Sequence, residues 1–181
     1  MLKFIAAGAF CALLLSAAPA SAAAPAQAQI VGDLHDRQLI LELMADYGFA
    51  LDDSDGEAYA NLFTPDGVLI AGGGEEFRGH DAIKKMGAST GQRQSGSAPT
   101  PPAQGPIHHL FSNVSMKING DTAAVRAYWV VVNGHTGTAV IQSMGRYDDK
   151  LVKRNGRWLY TQRRIINETL QAAAARAAEK K

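Results

Sequence analysis

The sequence predicts a single α+β domain in which helices pack on one face of a long antiparallel sheet. Apolar residues recur at helical spacing in the first half of the chain and alternate along extended runs in the second half. Asn-Gly pairs at 119–120 and 155–156 separate these runs, and such a pair between apolar runs is a strong signal of a two-residue hairpin turn. Helices that precede a meander of strands are typical of the α+β class.

Residues 1–22 have the pattern of a secretory signal peptide. Lys3 precedes an apolar stretch, and Ala-Ser-Ala at 20–22 ends it with small residues that suit cleavage. Ala-Gln-Ala at 26–28 is a second candidate cleavage site. We therefore expect an exported protein, periplasmic or secreted, in which residues 23–32 form a linker and no membrane anchor is left after cleavage.

The composition excludes several kinds of site. Cys11, the single cysteine, leaves with the signal peptide, so the mature chain has no disulfide, thiolate metal site or cysteine nucleophile. The 18 Lys and Arg residues lose Lys3 by cleavage and then balance the 17 Asp and Glu residues. A nucleic-acid-binding surface needs a basic excess, so nucleic acid is not an expected partner.

The folded domain is expected over residues 33–168. Asp33 is placed to cap a first helix that begins near Leu34 and turns an apolar stripe, including Tyr47, towards the core. This helix should end in the Asp-rich stretch that starts at Asp52. The shorter elements predicted to follow are a helix over 56–63 capped by Asp55, a strand over 66–71 and a helix over 79–87.

Two segments are expected to lie outside the regular elements. Residues 88–105 are rich in Gly, Ser, Pro and Gln and bury little apolar area, so we expect a mobile loop. A loop of this length inside a compact domain is either a lid or a disordered insertion. The alanine-rich residues 169–181 are expected to form a C-terminal tail.

The first long strand carries two adjacent histidines, His108 and His109, in the stretch PIHHLFSN. Side chains on a strand alternate between its two faces, so only one of the two histidines points inward. His108 shares its face with Leu110, Val114 and Met116, and this face is the more apolar of the two. We therefore predict that His108 faces the core and His109 faces outward.

The predicted hairpin register adds further polar groups to this inner face. If Asn119-Gly120 forms the turn, His108 lies across from Val131. The remaining inner-face residues that we expect to contact a bound molecule are Ser112, Trp129 and Asn133.

Three segments together resemble the SnoaL-like branch of the nuclear-transport-factor-2-like (NTF2-like) superfamily. The resemblance covers residues 34–168 and rests on LMADYGFALDDSDGEAYANLFTPDGVL, HHLFSNVSMKINGDTAAVRAYW and GRYDDKLVKRNGRWLYTQRRI. It implies a cone-shaped α+β barrel that encloses a deep apolar pocket, with the N-terminal helices in the concave face of a curved sheet. Members include scytalone dehydratase, bile-acid dehydratase, steroid isomerases, polyketide cyclases and limonene epoxide hydrolase, while other members only bind ligands or hold complexes together.

The dehydratase members line the pocket with a helix Tyr, an Asp five residues later, an inward strand His and an acid on the next strand. The first three match Tyr47, Asp52 and His108, whereas Val131 stands at the position of the acid. Five residues correspond to about 140° of helix rotation, so Tyr47 and Asp52 converge only if the helix ends there. Asp53 is the competing candidate.

The resemblance implies a cofactor-independent dehydratase or isomerase of a small apolar hydroxy or keto compound. His108 would be the general base, Asp52 would orient and stabilise its imidazole, and Tyr47 would donate a hydrogen bond to the carbonyl or enolate oxygen. No metal or organic cofactor is expected. The alternatives are a non-catalytic domain that binds a hydrophobic ligand and a dimeric interaction module.

The outward sheet face is more apolar than a solvated face should be, because Tyr128, Val130 and Val132 alternate along it. We therefore expect a homodimer or a higher homo-oligomer. Arg163 and Arg164 are neighbours on the last strand, so they cannot both face inward, and one of the two is a candidate to close the mouth of the pocket.

Overall fold

A computed structural model describes residues 23–95, 107–135, 138–169 and 178. The predicted signal peptide, residues 96–105 of the predicted loop and most of the predicted tail lie outside these residues. Within the described part of the chain, no helix is long and apolar enough to cross a membrane. In chain order the elements are α1 (Ala23–Asp52), α2 (Gly56–Ala60), β1 (Phe63–Ile70), β2 (Glu76–Arg78), α3 (His80–Ser95), β3 (Ile107–Asn119), β4 (Thr122–His135), β5 (Thr138–Arg154) and β6 (Arg157–Asn167).

The six strands form one sheet in the order β2-β1-β6-β5-β4-β3. Neighbouring strands are antiparallel except for β1 and β6, which are parallel, so the sheet is mixed where the prediction had antiparallel pairs only. The sheet is not closed, and β2 and β3 are its two edges. The helices pack on one face of this sheet, which confirms the predicted α+β class.

Helix α1 begins earlier than predicted. It starts at Ala23, so Asp33 lies inside the helix and accepts a hydrogen bond from Gln29 Nε2 (2.9 Å) instead of capping the first turn. The expected linker over 23–32 is therefore helical. Its sequence is rich in alanine, the strongest helix former, and its one proline, Pro25, lies in the first turn, where proline is tolerated.

The apolar stripe of α1 packs on the sheet, and a polar contact also joins α1 to the β5–β6 hairpin. Tyr47 and Ile40 are fully buried in this interface. Near the start of the stripe, Asp36 accepts hydrogen bonds from Trp158 Nε1 (3.1 Å) and Lys153 Nζ (2.6 Å). These two residues belong to the β5–β6 hairpin, so the contact fixes the direction of α1 across the sheet.

Helix α3 extends eight residues into the predicted loop and ends at Ser95. The loop prediction rested on composition, but the prolines of this segment begin only at Pro99. The residues before them include Ala, Gln and Arg, which are good helix formers. Helix α2 is capped by Asp55 as predicted, because its side chain accepts a hydrogen bond from the Ala58 N–H (2.9 Å).

A β-bulge in β3 exchanges the two faces of this strand. Asn119 pairs with Thr122, so the hairpin turn lies one residue later than predicted. Between Ser112 and Ser115 the register shifts by one residue, and Asn113 has a φ of 51°, a left-handed conformation that asparagine tolerates. The inward residues are Val114, Met116 and Ile118 after the bulge and Ile107, His109 and Phe111 before it.

The bulge corrects two of the sequence predictions. His108 points outward, with 59% of its side chain exposed, while the His109 side chain is only 8% exposed. Ser112 is likewise exposed on the outer face. Both predictions followed a strict alternation through the whole strand, and one extra residue reverses that alternation for every position before it.

Candidate acid–base site at the edge of the sheet

A largely buried carboxylate and a largely buried imidazole meet where α1 ends beside β3. The Oδ1 atom of Asp52 lies 2.6 Å from Nδ1 of His109. The same carboxylate accepts the backbone N–H of His109, at 3.1 Å and 3.3 Å from its two oxygens. The Asp52 side chain is 14% exposed, so the contact between these two residues is largely shielded from water.

His108 contacts the same carboxylate from the opposite face of the strand. Its Nδ1 atom lies 3.4 Å from Oδ2 of Asp52, although most of its ring is in solvent. Both neighbours reach one acid because Asp52 lies beside the free edge of β3, where the two faces of the sheet meet. The predicted partnership of His108 with Asp52 therefore exists, but the shorter and buried contact belongs to His109.

The contact with Asp52 fixes the chemistry of the His109 ring. A carboxylate accepts hydrogen bonds, so Nδ1 of His109 carries the hydrogen that points to Asp52. The other ring nitrogen, Nε2, is then left with a free lone pair in the neutral imidazole. A neutral His whose Nδ1–H is held by a buried acid has the arrangement of a general base, and the acid also stabilises the imidazolium that forms.

Asp53, the competing candidate, is exposed on the other side of the helix end. It lines a cleft of about 370 Å³ with Asp46, Asp55 and Arg157. Helix α1 ends at Asp52, and Ser54 follows with a φ of 56°. Asp52 is thus the last residue of the helix, and its side chain reaches β3.

Tyr47 lies deeper than predicted, inside an aromatic cluster. It is fully buried, and its hydroxyl accepts a hydrogen bond from the Tyr59 hydroxyl at 3.0 Å. Burial raises the pKa of Tyr59 well above its ordinary value, so Tyr59 keeps its proton and can donate it to this bond. The Tyr47 ring contacts Phe111, which lies two residues after His109 on the same strand face (centroids 6.2 Å apart).

A buried ion pair beneath Tyr47 was missed by the sequence analysis. Arg163 and Asp149 form a two-pronged contact, with Nε–Oδ1 at 3.0 Å and Nη2–Oδ2 at 2.7 Å, and both side chains are fully buried. The guanidinium carbon lies 3.9, 4.0 and 4.2 Å from the ring centroids of Tyr47, Tyr147 and Tyr160. Burial raises the pKa of Asp149, and the positive charge of Arg163 opposes that rise.

This ion pair excludes Arg163 as the arginine that closes the mouth of a pocket, because its side chain lies in the core. A register shift in the β5–β6 pairing, between Lys150 and Leu151, places Arg163 on the same face as Tyr160. Sequence parity alone puts residues 160 and 163 on opposite faces. Both strands carry several other charged residues, so no pattern in the sequence singled out this Arg and this Asp as partners.

Three of the predicted contact residues lie on the inner face of β4, as the parity of that strand predicted. Val131 pairs directly with His109, and Trp129 and Asn133 lie two positions to either side of it. Trp129 Nε1 and Asn133 Oδ1 are buried and have no hydrogen-bond partner among the described residues. A buried donor and a buried acceptor without partners are groups that a bound polar molecule could satisfy.

In the part of the chain that the structure describes, no three His, Cys, Asp or Glu residues are grouped so that they could hold a metal ion. The side chains of Asp52, His108 and His109 form a hydrogen-bonded cluster.

Comparison with known proteins places the chain in a family. A family model for the SnoaL-like domain matches residues 32–164. No curated protein sequence matches the chain. An NTF2-like protein with a cystatin-like fold from Novosphingobium aromaticivorans has a TM-score of 0.67 and 26% identity, over 83% of this chain and 93% of that chain.

Two further solved structures from the same organism are similar. A candidate scytalone dehydratase has a TM-score of 0.61 and 24% identity, over 76% of this chain and 87% of that chain. A candidate aromatic ring hydroxylase has a TM-score of 0.59 and 27% identity, over 77% of this chain and 97% of that chain. The likeness to the first of these concerns the fold alone.

Proposed function

Because the chain belongs to the SnoaL-like family of the NTF2-like superfamily, we propose that it is a cofactor-independent dehydratase or isomerase with His109 as its general base. The substrate class is a small apolar hydroxy or keto compound. The observation that supports this most directly is the 2.6 Å contact between His109 Nδ1 and Asp52 Oδ1, in a site where the histidine side chain is 8% exposed.

The proposed reaction begins with transfer of a proton from the carbon beside the substrate carbonyl to Nε2 of His109. The electron pair of the broken C–H bond forms an enolate, and Asp52 stabilises the imidazolium. In a dehydration, the enolate re-forms the carbonyl, the C–O bond of a β-hydroxyl group breaks, and the imidazolium proton leaves with that oxygen as water. In an isomerisation, the same proton is returned to a different carbon.

The inner face around His109 supports binding of an oxygen-containing apolar molecule. Val131 and Trp129 supply apolar surface, and the unpartnered Trp129 Nε1 and Asn133 Oδ1 supply one donor and one acceptor. Tyr47 was expected to donate to the substrate oxygen, but its side chain is fully buried in the core, where its hydroxyl accepts a hydrogen bond from Tyr59. In this proposal Trp129 and Asn133 bind the substrate, and Tyr47 packs behind Phe111 in the wall of the binding site.

Exchange of substrate protons with deuterium tests this function without knowledge of the natural substrate. A panel of cyclic ketones and β-hydroxy ketones is incubated with the protein in D₂O, and loss of the protons beside the carbonyl is followed by NMR. Enone absorbance reports water loss in the same samples. We expect His109→Asn to lower the exchange rate by ~100-fold or more, the usual contribution of a general base.

The adjacent histidine provides the matched control. His108→Asn changes the same residue type, one position away and beside the same carboxylate, and we expect it to leave exchange within a few fold. Equal rates in the wild type and the His109→Asn variant would exclude His109 as the base. A loss confined to His108→Asn would restore the assignment made from strand parity.

Binding of a hydrophobic ligand without turnover is the second candidate function. It is favoured by Val131, which lies directly across from His109 where the dehydratase members carry an acid. In that case apolar ketones should stabilise the protein in thermal unfolding while their protons fail to exchange. Trp129→Phe removes the unpartnered N–H and should weaken ligand binding whether or not the ligand is turned over.

Export to the periplasm or the exterior belongs to the same proposal and rests on residues 1–22. Expression of the full chain in a Gram-negative host, followed by mass spectrometry of the periplasmic fraction, tests it. A mature N-terminus at residue 23 or residue 29 corresponds to the two candidate cleavage sites. An uncleaved cytoplasmic chain would rule out this part of the proposal.

A further inference from the structure

Helix α1 carries a buried glycine, Gly48, in its last two turns. A glycine inside a helix is destabilising relative to alanine, because it loses more conformational freedom on folding. The helix continues for four residues beyond Gly48 and ends at Asp52, so the glycine does not serve as a helix end. Its presence is explained by what lies against this side of the helix.

Strand β3 lies directly against Gly48. A Cβ atom added to Gly48 would lie 2.9 Å from Cε2 and 3.3 Å from Cζ of Phe111, and 3.4 Å from the carbonyl oxygen of His109. Carbon atoms in contact are normally at least about 3.5 Å apart, so an alanine here would require α1 or the Phe111 ring to move by ~0.6 Å. The missing side chain thus allows α1 to approach β3 beside the proposed base.

The Phe111 ring has little room to move away from an added methyl group. Its centroid lies 6.2 Å from that of Tyr47 and 5.8 Å from that of Tyr147, and both tyrosines are buried in the core. On β4, Trp129 pairs directly with Phe111. An extra methyl group in a packed interior forces side chains off their rotamers or shifts the backbone, and with the ring held the shift falls on α1.

A shift at Gly48 becomes larger at Asp52, because α1 is also held at Asp36. The Asp36 carboxylate is hydrogen-bonded to the β5–β6 hairpin. At 1.5 Å per residue, Gly48 lies ~18 Å and Asp52 ~24 Å along the helix from this anchor. A displacement of ~0.6 Å at Gly48 then becomes ~0.8 Å at Asp52. The contact between Asp52 and His109 would lengthen from 2.6 Å to about 3.4 Å, beyond the usual range of an N–H···O hydrogen bond.

We infer that Gly48 is a positioning residue, whose missing side chain allows Asp52 to hold the His109 ring. Gly48 and Asp52 lie one helical turn apart on the same face of α1, so both face β3. The Phe111 ring fills the space that a side chain at position 48 would occupy, and the two residues therefore fit one another. The inference rests on the proposed function, in which His109 is the base, but the geometry of the Asp52–His109 pair can be measured without a substrate.

Proton NMR of the substrate-free protein tests the inference first. A short hydrogen bond to a carboxylate moves the Nδ1–H resonance of a histidine far downfield, and loss of the signal in His109→Asn assigns it. We expect Gly48→Ala to move this signal upfield or to broaden it beyond detection. A wild-type spectrum without such a signal would overturn the inference.

Gly32→Ala is the matched control. It makes the same substitution in the same helix, at an exposed position where nothing lies within 4 Å of the added Cβ atom. We expect it to leave the His109 signal unchanged and to raise the melting temperature by a few degrees, since alanine is the better helix former. Equal His109 signals in Gly48→Ala and Gly32→Ala would contradict the positioning role.

Exchange of ketone protons with deuterium gives the second readout. At saturating ketone we expect Gly48→Ala to lower the exchange rate about tenfold or more, since a misplacement of about 1 Å is sufficient for such a loss. The KM should stay within a few fold of the wild-type value, because Trp129 and Asn133 are unchanged. A Gly48→Ala chain that loses thermal stability but keeps its exchange rate would have a packing role only, and the inference would be wrong.

Removal of the Phe111 ring tests the fit between the two residues. Phe111→Leu removes the ring atoms that lie nearest to Gly48, so in this background Gly48→Ala should change the His109 signal and the exchange rate little. A double variant as impaired as Gly48→Ala alone would overturn the inference. If Gly48→Ala alone does not fold, a folded double variant that keeps the His109 signal supports the fit, and an unfolded one contradicts it.

The same chains distinguish failure of this inference from failure of the proposed function. A wild type that exchanges no ketone but shows a His109 signal sensitive to Gly48→Ala alone would refute the base assignment and support the positioning role. Exchange that depends on His109 but is equal in Gly48→Ala and Gly32→Ala would support the base and overturn the positioning role.

Discussion

Asp52 lies at the free edge of β3, with its carboxylate 2.6 Å from the buried ring of His109 and 3.4 Å from the exposed ring of His108. One acid thus holds two neighbouring histidines that belong to opposite faces of the sheet. It also accepts the His109 backbone N–H, so the same side chain orients the proposed base and completes the hydrogen bonding of the strand edge.

Substitutions of Asp52 should separate these two roles. Asp52→Asn keeps an acceptor for the backbone N–H but no longer stabilises the imidazolium, so we expect proton exchange to fall ~100-fold or more with a small change in stability. Asp52→Ala leaves a buried N–H without a partner and should cost a further ~1–3 kcal/mol of unfolding free energy. Urea denaturation beside the exchange assay measures both. Equal losses of unfolding free energy in the two variants would show that the hydrogen bond from the His109 N–H to Asp52 does not stabilise the strand edge.

The bulge at Asn113 should depend on the left-handed backbone of that residue. Asn113→Gly should be tolerated, whereas Asn113→Val places a β-branched residue at a φ of 51° and should cost ~1–2 kcal/mol. Loss of the bulge would also move His109 to the surface. Acylation of the histidines, read by mass spectrometry, should modify His108 first in the wild type, and the order should change only in the valine variant.

Removal of one charge of the Arg163–Asp149 pair should lower the unfolding free energy more than replacement of both residues by apolar ones. Asp149→Asn leaves a buried guanidinium without its counter-charge and should lower the unfolding free energy by ~3–5 kcal/mol. The double variant Arg163→Met with Asp149→Leu removes both charges and should recover most of that loss. Guanidinium chloride unfolding of the three chains gives the comparison. A double variant no more stable than Asp149→Asn would show that the tyrosine rings require the cation.

The contact of Asp36 with the β5–β6 hairpin should stabilise the fold above acidic pH. Burial alone raises the pKa of Asp36, but hydrogen bonds from Lys153 and Trp158 outweigh it and hold the pKa below its ordinary value of 3.8. Because the pKa of Asp36 is lower in the folded chain, its ionised carboxylate stabilises the fold at pH values above the unfolded-state pKa. This stabilisation is lost as the pH falls through the folded-state pKa.

Asp36→Asn should therefore lower the melting temperature by a few degrees at neutral pH. The difference from the wild type should shrink as the pH drops below about 4, where the wild-type carboxylate becomes protonated as well. Thermal unfolding of both chains between neutral pH and acid gives the two curves. A difference that stays constant across this range would show that the charge of Asp36 does not contribute.

The α+β class could be predicted from the sequence because hydrophobic periodicity extends over whole elements and Asn-Gly pairs mark the hairpin turns between them. It placed Trp129, Val131 and Asn133 on the inner face of β4 correctly, since β4 keeps its alternation through these positions. It turned the wrong histidine inward because the bulge at Asn113 adds one residue to β3. A single inserted residue changes no average property of a strand, yet it moves every earlier side chain to the other face.

The ion pair in the core escaped prediction for the same reason. Arg163 and Tyr160 share a face only through a register shift in the β5–β6 pairing. The length of α1 was underestimated for a different reason, because Asp33 suits a helix start but also tolerates a position inside a helix. Cap residues mark where a helix can begin, and the alanine-rich residues before Asp33 allow it to begin earlier.

The position of Asp52 has a consequence for the solubility of the protein. A bare edge strand can recruit the strand of another molecule and start fibril growth. Here a carboxylate from the end of α1 already occupies a backbone N–H of β3 and sets a negative charge beside the edge. Asp52, which orients the proposed base, should therefore also hinder amyloid-like pairing of β3 with a strand of another molecule.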